Sequence, residues 1–235
     1  MSIANQIDSK VIVALDYANE EQALVFVNKV NPELCKLKVG KELFTAAGPR
    51  FVEGLVSKGF SVFLDLKFHD IPNTVMKACK AASELGVWML NVHALGGQAM
   101  LQAAKEGVKG SHSKLIAVTI LTSMGKDDLE QIGIQTESVQ EQVVKLAMLT
   151  KDSGLDGVVC SAKEVSVLRN SLGNDFLLVT PGIRPVGSDL TDQKRVMTPA
   201  DAISAGSSYL VIGRPITQSD SPIETLEKIA FDLNE

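Results

Sequence analysis

Eight short apolar runs, helix-forming segments between them and a length of 235 residues predict an α/β protein, a (β/α)8 TIM barrel forming a single domain over residues 1–235. The runs are residues 11–15, 37–40, 61–66, 88–92, 115–121, 157–160, 176–179 and 209–212. Runs this apolar suit strands covered on both faces, as in a parallel sheet. A doubly wound open sheet is the other way to arrange the same elements. No Gly-x-Gly-x-x-Gly follows the first run and no Walker loop occurs, so nothing supports a dinucleotide or nucleoside triphosphate site.

The connecting segments carry helix signals. After the first run, Asn19 is placed to cap a helix with Gln22 three residues on, and Ala23, Leu24, Val27 and Val30 form its apolar stripe. Residues 85–104 contain no Asp, Glu, Lys or Arg. Asn91, His93 and Gly96-Gly97 interrupt them, so they read as a buried strand, a turn and a helix start rather than a bilayer span. Ser138 and Glu141 form a capping box ahead of Val139, Val143, Leu146 and Ala147, and Gly154 closes that helix. Thr198-Pro199 starts another, which Gly206 ends, and Ser221-Pro222-Ile223-Glu224 repeats the start signal.

Composition narrows the functional classes. The chain is 45% hydrophobic but only 5% aromatic, so its core is mostly aliphatic. A net charge of −5 argues against non-specific binding to nucleic acid or anionic membranes. Cys35, Cys79 and Cys160 are far apart and odd in number, and His69, His93 and His112 do not fall at zinc spacing. These features predict reduced thiols, no metal site and a cytoplasmic location. The N-terminal stretch lacks the basic start and apolar run of a signal peptide.

Barrel active sites sit at the C-terminal ends of the strands. The first run ends in Asp16; the second carries Lys38, with Lys41 close behind. The third ends Asp65-Leu66-Lys67-Phe68-His69-Asp70, the fourth Asn91-Val92-His93 and the fifth Leu121-Thr122-Ser123. On a strand, Asp65 and Lys67 share one face, with Leu64 and Leu66 on the other. Lys38 from the neighbouring strand is placed to reach Asp65, giving an alternating row of Lys38, Asp65, Lys67 and Asp70. An ion-pair network that only closes the barrel top would use the same charges. The convergence of four ions, two arginines and several strand-end glycines on one rim favours a reaction site.

The seventh run leads into Pro181-Gly182-Ile183-Arg184-Pro185 and the eighth into Gly213-Arg214-Pro215. Barrels often bind phosphate at these two loops. Glycine lets backbone amides approach an anion, and arginine offers a planar fork to phosphate. Gly-Arg-Pro alone is weak, but its place on the last strand opposite Pro-Gly-Ile-Arg-Pro points to a phosphate site. The polar segment between Ile183 and Pro199 is long for a compact domain and reads as a lid, with Gln193 in reach of phosphate and base.

The run Asp65-Leu66-Lys67-Phe68-His69-Asp70-Ile71-Pro72-Asn73-Thr74 resembles the signature of the orotidine 5′-phosphate decarboxylase family, of the bacterial type. Its Asp-x-Lys-x-x-Asp core is shared with related sugar-phosphate decarboxylases; the His-Asp-Ile-Pro-Asn-Thr extension is more specific. Val13-Ala14-Leu15-Asp16, Lys36-Leu37-Lys38-Val39-Gly40, Leu121-Thr122-Ser123, Val179-Thr180-Pro181-Gly182-Ile183-Arg184-Pro185 and Val211-Ile212-Gly213-Arg214-Pro215 match in order. The resemblance implies cofactor-free decarboxylation of orotidine 5′-phosphate to UMP and CO2. It implies that Lys67 protonates ring carbon C6, that Asp65 lies by the substrate carboxylate, and that Asp16 and Lys38 hold the ribose. Asp70, Ile71 and Thr74 would enter the partner's site in a homodimer. Thr122 lies at the mouth and Ser123 would meet the pyrimidine amide. Pro181, Arg184, Gln193, Gly213 and Arg214 would line the base and phosphate sites.

The chemistry suits these roles. Loss of CO2 leaves a carbanion in the ring plane, beyond the reach of the π system, and a fixed ammonium both stabilises it and supplies its proton. The nearest rival is a Mg2+-dependent sugar-phosphate decarboxylase or aldolase of the same barrel, which requires an acidic ligand on the second strand. Lys38 stands there instead, and Glu42 lies beyond it. A silent barrel that only binds UMP-like ligands would carry a broken row. His93 reads as a hydrogen-bonded structural histidine, and His69 and Asn73 as shapers of a turn and dimer contact. Lys41 reads as solvated or a neighbour of the row, and Trp88 and the methionines as core filler.

Overall fold

A computed structural model describes residues 8–185 and 197–233. Eight parallel strands close into a barrel in sequence order: β1 (Val11–Leu15), β2 (Lys36–Gly40), β3 (Val62–Phe68), β4 (Met89–His93), β5 (Lys114–Val118), β6 (Gly157–Val159), β7 (Leu177–Pro181) and β8 (Tyr209–Ile212). β8 pairs back onto β1 through Val11↔Leu210 to Val13↔Ile212, so no edge is left open among the described strands. The open-sheet alternative is excluded.

Alternation along each strand builds two cores. In β1, Val11, Val13 and Leu15 face the helices, whereas Ile12 and Ala14 join Phe63, Met89, Ile116, Val179, Tyr209 and Val211 inside the barrel. Burying each large aliphatic side chain contributes roughly 1.5–3 kcal/mol. This explains why both faces of the strands are apolar, and why the runs were legible as strands.

Helices cover the outside: α1 (Glu20–Val27), α2 (Lys41–Ala47), α3 (Pro49–Ser57), α4 (Pro72–Glu84), α5 (Gly97–Gly107), α6 (Lys126–Gln131), α7 (Val139–Asp152), α8 (Val165–Leu172), α9 (Pro199–Ser204), α10 (Arg214–Thr217) and α11 (Pro222–Asp232). Asn19 accepts the Gln22 amide at 3.0 Å, and Thr198 accepts that of Asp201 at 3.1 Å, as the cap signals predict. Two signals are only partly realised. Ser138 accepts the Glu141 amide at 3.1 Å, but the Glu141 carboxylate reaches past it to the Glu137 amide and the Thr136 hydroxyl. Ser221 precedes α11 without a side-chain cap.

Three strands end two or more residues from the expected bound, among them β7, which runs to Pro181 rather than residue 179. β5 stops at Val118 rather than residue 121, because its neighbour β6 ends at Val159, the partner of Val118. The Thr119 hydroxyl takes the next β6 carbonyl, Val159 O, at 3.3 Å. β3 runs two residues further than expected, to Phe68, and its register with β4 shifts between Leu64 and Phe68. The shift is a bulge at Lys67.

The N-terminal end of the barrel is plugged. Lys36 pairs with Asp8 at 2.7 Å, and the Tyr209 hydroxyl donates to the same carboxylate at 2.9 Å. The Lys36 ammonium lies 4.9 Å from the centre of the Trp88 ring, which packs edge-on against Tyr209. Trp88 therefore belongs to this plug rather than serving as simple filler.

Candidate active site

Lys38 leaves β2 on the barrel's inner face, two residues beyond Lys36 and beside Ala14 in register. Its ammonium lies 3.3 Å from Asp16 Oδ1 at the end of β1 and 3.5 Å from Asp65 Oδ2 on β3. The other oxygen, Asp65 Oδ1, receives Lys67 Nζ at 2.6 Å. These four side chains form a row, Asp16–Lys38–Asp65–Lys67. With Leu15 and Gly40 they line a cavity of about 350 Å³ at the C-terminal mouth. Gly40 keeps space for the ammonium: a Cβ there would lie 3.3 Å from Lys38 Nζ.

The row differs from the expected one at its ends. Asp16 extends it on the β1 side. Asp70 does not join it within one chain: its carboxylate accepts the Ile71 amide at 2.6 Å and makes no ion pair among the described residues. The turn from β3 into α4 leaves Asp70 in an exposed run with Ile71, Pro72, Asn73 and Thr74.

Lys67 is the only non-glycine residue with positive φ among the described residues, at 53°. The left-handed region costs a residue with a Cβ about 1–2 kcal/mol. Plain pleating was expected to bring Asp65 and Lys67 together; the bulge does so instead. Within it, the Lys67 amide leaves the strand ladder and donates to Asn91 Oδ1 at 2.8 Å, while Asn91 Nδ2 donates to Asp65 Oδ1 at 2.7 Å. Asn91 is fully buried. Sequence reasoning noted it at a strand end but gave it no role.

Burial alone would push the Asp65 carboxyl up. The ammonium groups of Lys38 and Lys67, with hydrogen bonds from Lys67 and Asn91, outweigh burial and hold it below the ordinary carboxylate value. Asp65 is thus a carboxylate fixed between two cations. His93, at the end of β4, is pushed down to about 4, by burial first and then by His69, Lys41 and Lys67, so its imidazole is neutral at neutral pH. The expected hydrogen bond of His93 is not made among the described residues. Its ring instead lies 5.6 Å from that of His69. Lys41 is exposed at the start of α2, on the wall of the cavity.

The remaining predicted residues flank the same mouth. Thr122 and Ser123 are exposed in the turn after β5, where the Met124 amide bonds Leu121 O at 2.9 Å. Pro181 ends β7. Arg184 is buried, and its amide bonds Met197 O at 3.1 Å, joining the two stems of the segment between them. Gln193 lies outside the described residues, as does most of the expected lid. Gly213 follows β8, where a Cβ would lie 3.6 Å from Ala14 Cβ and 3.7 Å from Asp16 Oδ2, and Arg214 is exposed at the start of α10. Among the described residues, no three His, Cys, Asp or Glu gather as a metal-binding set and no helix is long and apolar enough to cross a membrane.

This geometry can be set beside known proteins. The family model described as "Orotidine 5'-phosphate decarboxylase / HUMPS family" matches residues 9–229. The chain belongs to that family. Within it, the chain is 62% identical over 230 residues to an orotidine 5′-phosphate decarboxylase of Vibrio parahaemolyticus, covering 97% of this chain and 98% of that one. It is 61% identical to a protein of the same name from Aliivibrio fischeri, over 96% of this chain and 97% of the relative. The crystal structure of orotidine 5′-phosphate decarboxylase from Lactobacillus acidophilus superposes with a TM-score of 0.87 at 43% identity, over 97% of this chain and all of that one.

Proposed function

We infer that this chain decarboxylates orotidine 5′-phosphate to UMP and CO2, the last step of UMP biosynthesis, as a carboxy-lyase. The observation that carries the reading is the Lys38–Asp65–Lys67 row at the mouth of the barrel, in a chain so similar over its whole length to named decarboxylases.

The step follows from the row. The bond from C6 to the carboxylate breaks, CO2 departs, and the electron pair stays on C6 in the ring plane. The Lys67 ammonium, held at 2.6 Å by Asp65, faces that charge and gives C6 a proton. Lys67 then recovers a proton from solvent. The electrostatics need no reorganisation during reaction, because Asp65, itself held by Lys38, already fixes the ammonium.

Residue roles complete the reading. Asp16 and Lys38 hold the ribose hydroxyls. Thr122 and Ser123 face the pyrimidine, and Pro181, Arg184, Gln193, Gly213 and Arg214 contact base and phosphate. Binding energy from the phosphate, remote from C6, orients the ring. The chain acts as one domain, without metal or cofactor, in a cytoplasmic homodimer. Support for the dimer comes from Ile71, an apolar side chain 67% exposed, next to Asp70 and near Thr74 at the rim. These three enter the partner's site, where Asp70 adds the last charge of the row. The Mg2+-dependent alternative lacks its acidic ligand on β2, where Lys38 stands.

The test is an ultraviolet absorbance assay with orotidine 5′-phosphate in EDTA. The Lys67→Ala chain should lose at least about 10³-fold in kcat while still binding UMP. Mixing Lys67→Ala with Asp70→Ala chains should restore activity, since each heterodimer contains one site with both groups. Absence of turnover by the native chain, with activity on a sugar phosphate once Mg2+ is supplied, would overturn the reading.

A further inference from the structure

Asn91 stands inside the barrel on β4, fully buried, with both ends of its side-chain amide engaged by the reacting pair. Its Nδ2 donates to Asp65 Oδ1 at 2.7 Å, the oxygen that also receives Lys67 Nζ at 2.6 Å. Its Oδ1 accepts the Lys67 backbone amide at 2.8 Å. The partners dictate the orientation of the amide, since only oxygen can accept the N–H and only the NH2 can donate to the carboxylate. On the β5 side it meets Ile116, which offers no polar group.

The Lys67 amide needs this partner. Where β3 and β4 lose register, a bulged residue is left without a ladder bond, and Lys67 is held at a φ of 53° that its Cβ disfavours. The Asn91 oxygen satisfies that amide inside the barrel, so the bulge persists. We propose that Asn91 is a positioning residue for the reaction, one side chain that sets both the backbone from which the Lys67 ammonium is aimed and the carboxylate that holds it. Asn91 does not touch substrate; it acts through Lys67 and Asp65. The inference rests on the reading of Lys67 as proton donor.

The consequence is a split between kinetic parameters. Ribose and phosphate are bound by other residues, so loss of Asn91 should misplace the ammonium while leaving ground-state binding largely intact. The experiment compares the native chain with Asn91→Leu, Asn91→Asp and Lys67→Ala, following kcat, KM and the thermal midpoint across pH. Asn91→Leu keeps the bulk and removes both hydrogen bonds. It should lower kcat by about 10²-fold with KM changed only a few-fold. Asn91→Asp keeps the acceptor for the Lys67 amide, but can donate to Asp65 only while protonated. The groups facing it are Asp65 and Lys67 on β3, with Lys38 on β2 and His93 on β4 close by. Two carboxyls sharing one proton raise one of their ionisations. Activity of this variant should therefore be greatest at low pH and fall through an ionisation that the native chain lacks.

Native kcat in Asn91→Leu would overturn the proposal. So would an Asn91→Asp variant whose turnover falls only in step with its folded fraction, with no new ionisation. If Asn91→Leu does not fold, the pH profile of Asn91→Asp decides alone. Retained turnover in Lys67→Ala would instead remove the proton-donor reading, and this inference with it.

Discussion

Lys36 and Lys38 stand two residues apart on one strand, both turned into the barrel, and they reach opposite ends of it. Lys36 meets Asp8, Trp88 and Tyr209 in a plug where every charge faces a partner or a ring. Lys38 meets Asp16 and Asp65 beside a cavity, with a second lysine on the far side of Asp65. Both lysines are largely buried and both have aspartate partners. What separates them is the surroundings. At the N-terminal end aromatic rings fill the space. At the C-terminal end Gly40 leaves space open, and two cations share one carboxylate. A buried ion pair alone therefore does not mark a candidate reaction site; open space beside it does.

The sharpest way to break this comparison is to neutralise each lysine. Lys38→Met should lower kcat/KM by at least about 10²-fold, because it removes the proposed ribose contact and one of the two cations holding Asp65. Lys36→Met should leave kcat unchanged and destabilise the fold by about 1–3 kcal/mol, toward the lower end because Asp8 is half-exposed. Steady-state assays and denaturant melts on the two variants check both halves, and a kinetic defect in Lys36→Met would erase the distinction.

Acid titration sharpens it further. The carboxyls of Asp8 and Asp65 are both held below their ordinary value: burial raises each, and lysine partners outweigh it, helped at Asp8 by Tyr209. A depressed carboxylate contributes stability that is present above its unfolded pKa of about 3.9 and lost as pH falls through the lowered folded value. Unfolding midpoints should therefore drop in that acid window. Asp8→Asn should flatten the drop and retain activity, whereas Asp65→Asn should flatten it and abolish activity.

The smallest effect is expected at Gly40. Its φ is ordinary, so Gly40→Ala adds no backbone strain, but the new methyl would press on Lys38 Nζ at 3.3 Å. A KM for orotidine 5′-phosphate raised a few-fold, with kcat nearly unchanged, is the expected result.

The eight strands were legible within a few residues because a strand buried on both faces must be apolar throughout, a property of its own composition. The charges at the strand ends were legible for the same reason: polar residues interrupt those runs where the barrel meets solvent. Helices α2, α3, α4, α6, α8 and α10 begin without a side-chain cap and went unread. The early end of β5 depends on the length of β6, some forty residues away.

By itself, then, the sequence determined the barrel, the rim on which the site lies and, through the Asp65–Thr74 run, the family. Tertiary structure decided which charges touch. It put Asp16 rather than Asp70 in the row within one chain, forced Lys67 into a left-handed bulge, and brought Asn91 from β4 onto both Lys67 and Asp65. These outcomes are set by the register between strands, and register is a relation between segments remote in sequence, which the pattern within one strand does not fix alone.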